Sequence, residues 1–97
     1  QPVERDFAFL MNDTVMAIDI INAVKKAEKD ILEEVNIFDI YQDQKLKAEG
    51  KKSVAFKVKL QPKQNTLTLE EINKISDNII FSVKTNTGGE LRGERVA

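Results

Sequence analysis

VNIFDIYQDQKLKAEGKKSVAFKVKL, residues 35 to 60, reads as two β-strands joined by a long, basic loop. Side chains alternate between the two faces of a strand. Phe38 and Ile40 are therefore placed on one face of the first strand, and Ile37, Asp39 and Tyr41 on the other. In the second strand Val54, Phe56, Val58 and Leu60 make a continuous apolar face, while Ser53, Ala55, Lys57 and Lys59 make a small, polar and cationic one. The apolar faces, with Phe38 and Phe56, are assigned to the core. The opposite face then offers an aromatic ring, a carboxylate, a hydroxyl and lysines beside the loop from Gln42 to Lys52, a chemistry that suits a polar, anionic partner.

The flanking sequence supplies the rest of a fold. Arg5 to Met11 is strand-like, with Phe7, Phe9 and Met11 on one face and Asp6 and Ala8 on the other. Asn12, Asp13 and Thr14 are turn and cap formers, and Ala17, Ile20, Ile21, Val24, Ala27 and Ile31 then recur at helical spacing. Pro62 and Asn65 close the central pair of strands. Thr68-Leu69-Glu70-Glu71 has the pattern of a capping box. It starts a second helix with Ile72, Ile75, Ile79, Ile80 and Val83 as its buried stripe, ending near Thr87-Gly88-Gly89, where glycine takes a left-handed cap conformation. Glu90-Leu91-Arg92 is a short last strand with Leu91 in the core. The order β-α-β-β-α-β predicts an α+β, ferredoxin-like sandwich: a four-stranded antiparallel sheet with both helices on one face. Parity leaves Asp6, Ala8, Asp39, Tyr41, Ser53, Ala55, Lys57 and Arg92 on the open face.

Composition narrows the function. The 97 residues suit one domain spanning 1–97, large enough for a core without staples. The chain contains neither cysteine nor histidine, which excludes a disulfide framework, a thiol nucleophile, an imidazole base and a soft-ligand metal site. No apolar run approaches a membrane span and no signal peptide is present, so the expected location is the cytoplasm. The first residue is Gln1 rather than Met, which suggests a fragment of a longer chain. The formal charge of −1 hides an asymmetry: from Asp43 to Lys63 seven lysines stand against Asp43 and Glu49, a local +5 that leaves −6 for the remainder. Such a patch either faces phosphate or is a solvated, aggregation-resistant hairpin.

The fold itself hosts many functions. A metal-transfer module needs a cysteine pair, and an acylphosphatase-like enzyme needs a phosphate-cradling loop with arginine after the first strand, which Met11-Asn12-Asp13 does not supply. An RNA-recognition motif needs stacking aromatics on its central strands, but Phe7, Phe9 and Phe56 have core parity. A regulatory or protein-interaction module without RNA binding stays open as an alternative.

Arg5-Asp6-Phe7-Ala8-Phe9, Val35-Asn36-Ile37-Phe38-Asp39-Ile40-Tyr41, Gly50-Lys51-Lys52-Ser53-Val54-Ala55-Phe56, Thr66-Leu67-Thr68 before an acidic helix start, and Gly89-Glu90-Leu91-Arg92-Gly93 are motif blocks covering nearly the whole chain. In that order they closely resemble the ferredoxin-fold anticodon-binding domain at the C-terminus of the bacterial phenylalanyl-tRNA synthetase beta subunit. The resemblance implies that the open face holds the anticodon loop of phenylalanine tRNA. It sets Tyr41 against an anticodon base, Ser53 and Asp39 in polar contact with bases, and Ala8 and Ala55 as small residues that let bases approach. Arg5, Lys52, Lys57 and Arg92 are further candidates for tRNA binding, although Arg5, Lys57 and Arg92 also suit simple charge balance with Asp6, Asp39 and Glu90. Bland alternatives exist for the others too: Tyr41 as a core-edge cap, Ser53 as an ordinary strand residue, Asp39 paired with a lysine. The resemblance further implies a non-catalytic fragment without a cofactor, whose parent uses ATP and magnesium and assembles from two alpha and two beta subunits, with no DNA or membrane partner. One departure is local. The family often has a glycine soon after the tyrosine, where this chain reads Gln42-Asp43-Gln44.

Overall fold

Four strands and three helices alternate along the chain in a computed structural model that describes residues 1–96. They are β1 (Val3–Asn12), α1 (Ala17–Ala27), β2 (Leu32–Tyr41), α2 (Gln44–Ala48), β3 (Lys51–Leu60), α3 (Leu69–Thr87) and β4 (Glu90–Val96). The strands form one sheet in the order β2-β3-β1-β4. Every neighbouring pair is antiparallel, so the expected ferredoxin-like sandwich is the observed fold.

The core lies between the sheet and helices α1 and α3. Phe7, Phe9 and Met11 of β1 and Val54, Phe56, Val58 and Leu60 of β3 meet Ile20, Ala23 and Val24 of α1 and Ile79 and Val83 of α3, all of them buried. Phe56 sits at its centre, fully buried, with its ring 5.5 Å from that of Phe7 and 5.8 Å from that of Phe9. The two helices are also tied by a polar contact that periodicity does not reveal: buried Ser82 donates its hydroxyl to the Ala23 carbonyl at 2.6 Å. A buried hydroxyl needs such a partner.

The ends of α3 follow the sequence. The Glu71 amide donates to Thr68 Oγ1 and the Thr68 amide to Glu71 Oε1, closing the capping box. Gly88 ends the helix at φ 73°, its amide donating to the Lys84 carbonyl. Hydrogen bonding to Thr68 holds the Glu71 carboxyl below its ordinary pKa. A group whose folded pKa is lowered contributes stability that is complete above its unfolded pKa and is lost as pH falls through the folded one. The melting-temperature difference between wild type and Glu71→Gln should therefore be largest near neutrality and shrink through the carboxylate range. A difference that stays constant with pH would exclude this role for the charge.

The sheet has three register irregularities, at Leu32/Glu34, Ile37/Asp39 and Ala8/Phe9, and the last two alter the expected parity. Ile37 faces Phe56 and Asp39 faces Ala55, so Phe38 is an extra residue in β2. A bulge of this kind sets two residues against one and reverses the alternation beyond it. Phe38, assigned to the core by simple alternation, is instead 47% exposed. Ile37 turns to the helix side, where it packs against the core. In β4, Ala8 faces Gly93 and Phe9 faces Leu91, which makes Arg92 the extra residue. That strand also runs to Val96 rather than ending at Arg92.

The loop between β2 and β3 is ordered by a short helix that the sequence reading did not anticipate. Asp43 caps α2, its Oδ1 accepting from the Leu46 amide at 2.8 Å. Gly50 then takes φ 68° and turns the chain into β3.

Candidate nucleic-acid interface

The face of the sheet away from the helices has a floor of small residues. Ala8 of β1 lies between Ala55 of β3 and Gly93 of β4 in consecutive register pairs. With Asp6, Phe38, Asp39 and Arg95 these residues line a shallow depression of about 390 Å³. Its β2 side carries the rings: Phe38 stands at the bulge, and Tyr41, paired with Ser53, is 53% exposed. The neighbours Asp39 and Ala55 are likewise a cross-strand pair on this face. The β2 bulge is what brings Phe38, Asp39 and Tyr41 to the same side.

The charges on the face form a linked set. Asp6 is buried, with 9% exposure. Its Oδ1 lies 3.3 Å from Lys57 Nζ and its Oδ2 3.6 Å from Arg95 Nε. Oδ1 accepts no hydrogen bond, so the lysine holds it by charge without the alignment of a hydrogen bond. Lys57 also reaches Glu4 at 3.9 Å. Lys57 thus acts first as the counterion of a buried carboxylate, while Arg95, much more exposed, extends over the depression. The sequence reading stopped β4 at Arg92 and missed Arg95. Plain alternation from Arg92 leads to Glu94 instead, and only the β4 bulge puts Gly93 and Arg95 on this face.

Of the anticipated residues, the structure brings Ala8, Asp39, Tyr41, Ser53, Ala55 and Lys57 together on the open face. Asp39 has no ion-pair partner among the described residues. Arg92, at the β4 bulge, is exposed beside the floor. Two residues fall elsewhere. Arg5 pairs with Val58 and Lys52 with Met11, both helix-side positions. Arg5 donates to the Glu4 carbonyl, and Lys52 Nζ donates to the Val15 carbonyl in the turn before α1. The reason is parity: both differ by an odd number of positions from the open-face residues of their own strands, Asp6 and Ser53.

Tyr41 is fixed at its outer end. Its hydroxyl donates to Asp43 Oδ2 at 3.2 Å, and the hydrogen bond and negative charge of that carboxylate raise the phenol pKa. The Leu46 amide is the main cause of the lowered Asp43 pKa. Lys45 and Lys47 lie in the last turn of α2, both exposed. Small floor, exposed rings, hydrogen-bonding groups at the ring edge and exposed cations together make a surface that can stack and hydrogen-bond planar, polar groups carried on a phosphate chain.

Residues 1–92 match the family model described as "Ferredoxin-fold anticodon binding domain". The chain belongs to this family. Among relatives of this anticodon-binding domain, the phenylalanine–tRNA ligase beta subunit of Nitrobacter winogradskyi is 44% identical over 93 residues, which is 96% of this chain and 11% of that protein. The corresponding subunit of Rhodospirillum rubrum is 46% identical over 92 residues, 95% of this chain and 11% of the relative. That of Paramagnetospirillum magneticum is 44% identical over 93 residues, 96% and 12%. The domain thus spans about a ninth of the length of these relatives.

Proposed function

We propose that this domain holds the anticodon loop of phenylalanine tRNA on its open sheet face, as a module of a longer phenylalanine–tRNA ligase beta subunit. The observation that carries this reading is the small-residue floor of Ala8, Ala55 and Gly93 bordered by the exposed rings of Phe38 and Tyr41. Bases of a single-stranded loop lie flat on such a floor and stack on its aromatics. Asp39 and Ser53 offer hydrogen bonds to base edges, and Arg95, Arg92 and the α2 lysines meet the phosphates. Lys57 contributes by neutralising Asp6 beneath the RNA.

Aminoacylation, with its ATP and magnesium, belongs to the remainder of the parent enzyme. Among the described residues no group of three or more Asp or Glu side chains is placed to hold a metal ion. The parent is an assembly of two alpha and two beta subunits in the cytoplasm. Among the described residues no helix is long and apolar enough to cross a membrane.

The test is a binding titration of the full ligase with phenylalanine tRNA and with the same tRNA carrying a swapped anticodon. Base-edge hydrogen bonds discriminate by ~1–3 kcal/mol per good pair, so the swapped tRNA should bind about tenfold or more weakly. Both affinities should fall as salt rises. Equal affinity for the two tRNAs would refute anticodon reading.

A further inference from the structure

We propose that Asp43 is a positioning residue for tRNA recognition: one carboxylate oxygen caps α2 while the other holds the Tyr41 hydroxyl, locking the ring in its stacking orientation. This inference rests on the reading of Tyr41 as the aromatic that stacks on the anticodon.

Tyr41 is the last residue of β2, paired with Ser53 at the end of the ladder, and its ring is 53% exposed. A free phenol at such a position samples several rotamers and loses that freedom on binding RNA. The structure removes the freedom beforehand. The Tyr41 hydroxyl donates to Asp43 Oδ2 at 3.2 Å, and Asp43 Oδ1 accepts from the Leu46 amide at 2.8 Å. The carboxylate is therefore clamped at its own end by a helix and cannot swing away with the ring.

The helix is in turn anchored. Gln42 Nε2 donates to the Lys51 carbonyl at 3.0 Å and to Asp13 Oδ2 at 3.3 Å. The Asp13 amide donates to the Gly50 carbonyl at 2.9 Å. The chain from Tyr41 to Lys51 is thus held at both ends against β3 and the β1–α1 turn, with Asp43 its only link to the ring edge among the described hydrogen bonds. A carboxylate, with two acceptor oxygens, serves the cap and the phenol together. Serine is a good helix cap but has a single oxygen, so Asp43→Ser separates the two roles.

The first measurement needs no RNA. The 97-residue chain contains one tyrosine and no tryptophan, so its near-ultraviolet phenolate absorbance reports Tyr41 alone. Asp43→Ser should let Tyr41 ionise at lower pH than in wild type while the melting temperature changes little. An unchanged phenol titration would overturn the contact. The second is a double-mutant cycle in the full ligase, read as kcat/KM for phenylalanine tRNA. Immobilising one side chain costs an amount equivalent to about two- to tenfold in affinity. Asp43→Ser should lower kcat/KM by about that factor in the native background and leave it unchanged in a Tyr41→Phe background, where no hydroxyl remains to hold. Equal losses in the two backgrounds would overturn the positioning role, because Asp43 would then act without Tyr41. A Tyr41→Ala ligase impaired with tRNA while Asp43→Ser matches wild type would overturn the positioning role alone. Normal charging by Tyr41→Ala would overturn the stacking reading and this one with it.

Discussion

Phe56→Ala is expected to lower the stability of the domain by ~3–5 kcal/mol, the usual cost of truncating a buried aromatic. Phe56 is fully buried, stacks on the rings of both Phe7 and Phe9 of β1, and pairs with Ile37 on its other side. Removing it empties the centre of the only layer that joins sheet and helices. Phe38→Ala is the internal control. The same substitution only a few ångströms away on the neighbouring strand should cost under about 1 kcal/mol, because Phe38 leaves the core at the bulge and surface truncations are cheap. Thermal or denaturant unfolding of the two variants decides the point. Similar, large losses for both would mean that β2 runs through its bulge in regular alternation and that Phe38 is a core residue.

Tyr41→Ala should give the largest functional loss with the smallest structural one. Base–aromatic stacking, measured by alanine substitution, corresponds to about five- to hundredfold in affinity, and the Tyr41 ring is available for it on the open face. In the full ligase the loss should appear in KM for tRNA or in kcat/KM, with phenylalanine activation unaffected and the melting temperature nearly unchanged. Tyr41→Phe keeps the π-face and should lose much less, its deficit being only the freedom released when the hydroxyl no longer meets Asp43. A Tyr41→Ala enzyme that charges tRNA normally yet melts many degrees lower would make the tyrosine a structural cap of the sheet.

Lys57 shows how an open surface reading is decided once its neighbours are known. From the residues alone it suits either a phosphate contact or simple charge balance with a carboxylate such as Asp6. In the fold it stands over Asp6, and a buried carboxylate deprived of its cation is costly. Lys57 therefore combines a structural role with any electrostatic one, whereas Arg95, which also pairs with Asp6 but is far more exposed, and Arg92 are the more accessible cations of the face.

Elements with a strong local signal were legible from the residues alone. The capping box at Thr68 and Glu71, the Gly88 stop and the alternating apolar faces of β1 and β3 each follow from short-range chemistry, and their sum gives the β-α-β-β-α-β order. Cysteine and histidine are absent from the composition whatever the fold. The resemblance of the motif blocks then pointed to Tyr41, Asp39 and Ser53, which share the open face. What the sequence could not decide is where a strand drops out of step. A bulge is a matter of register between two chains, set by how β2 and β4 fit against β3 and β1, and no period within one strand records it. Hence Phe38 moved from the core to the face, Ile37 took its place, and Arg95 emerged beyond the point where β4 was expected to stop. The Asp43 clamp on Tyr41 was hidden for a related reason. It depends on a five-residue helix too short for periodicity to reveal, and on one carboxylate meeting groups on both sides of it in space.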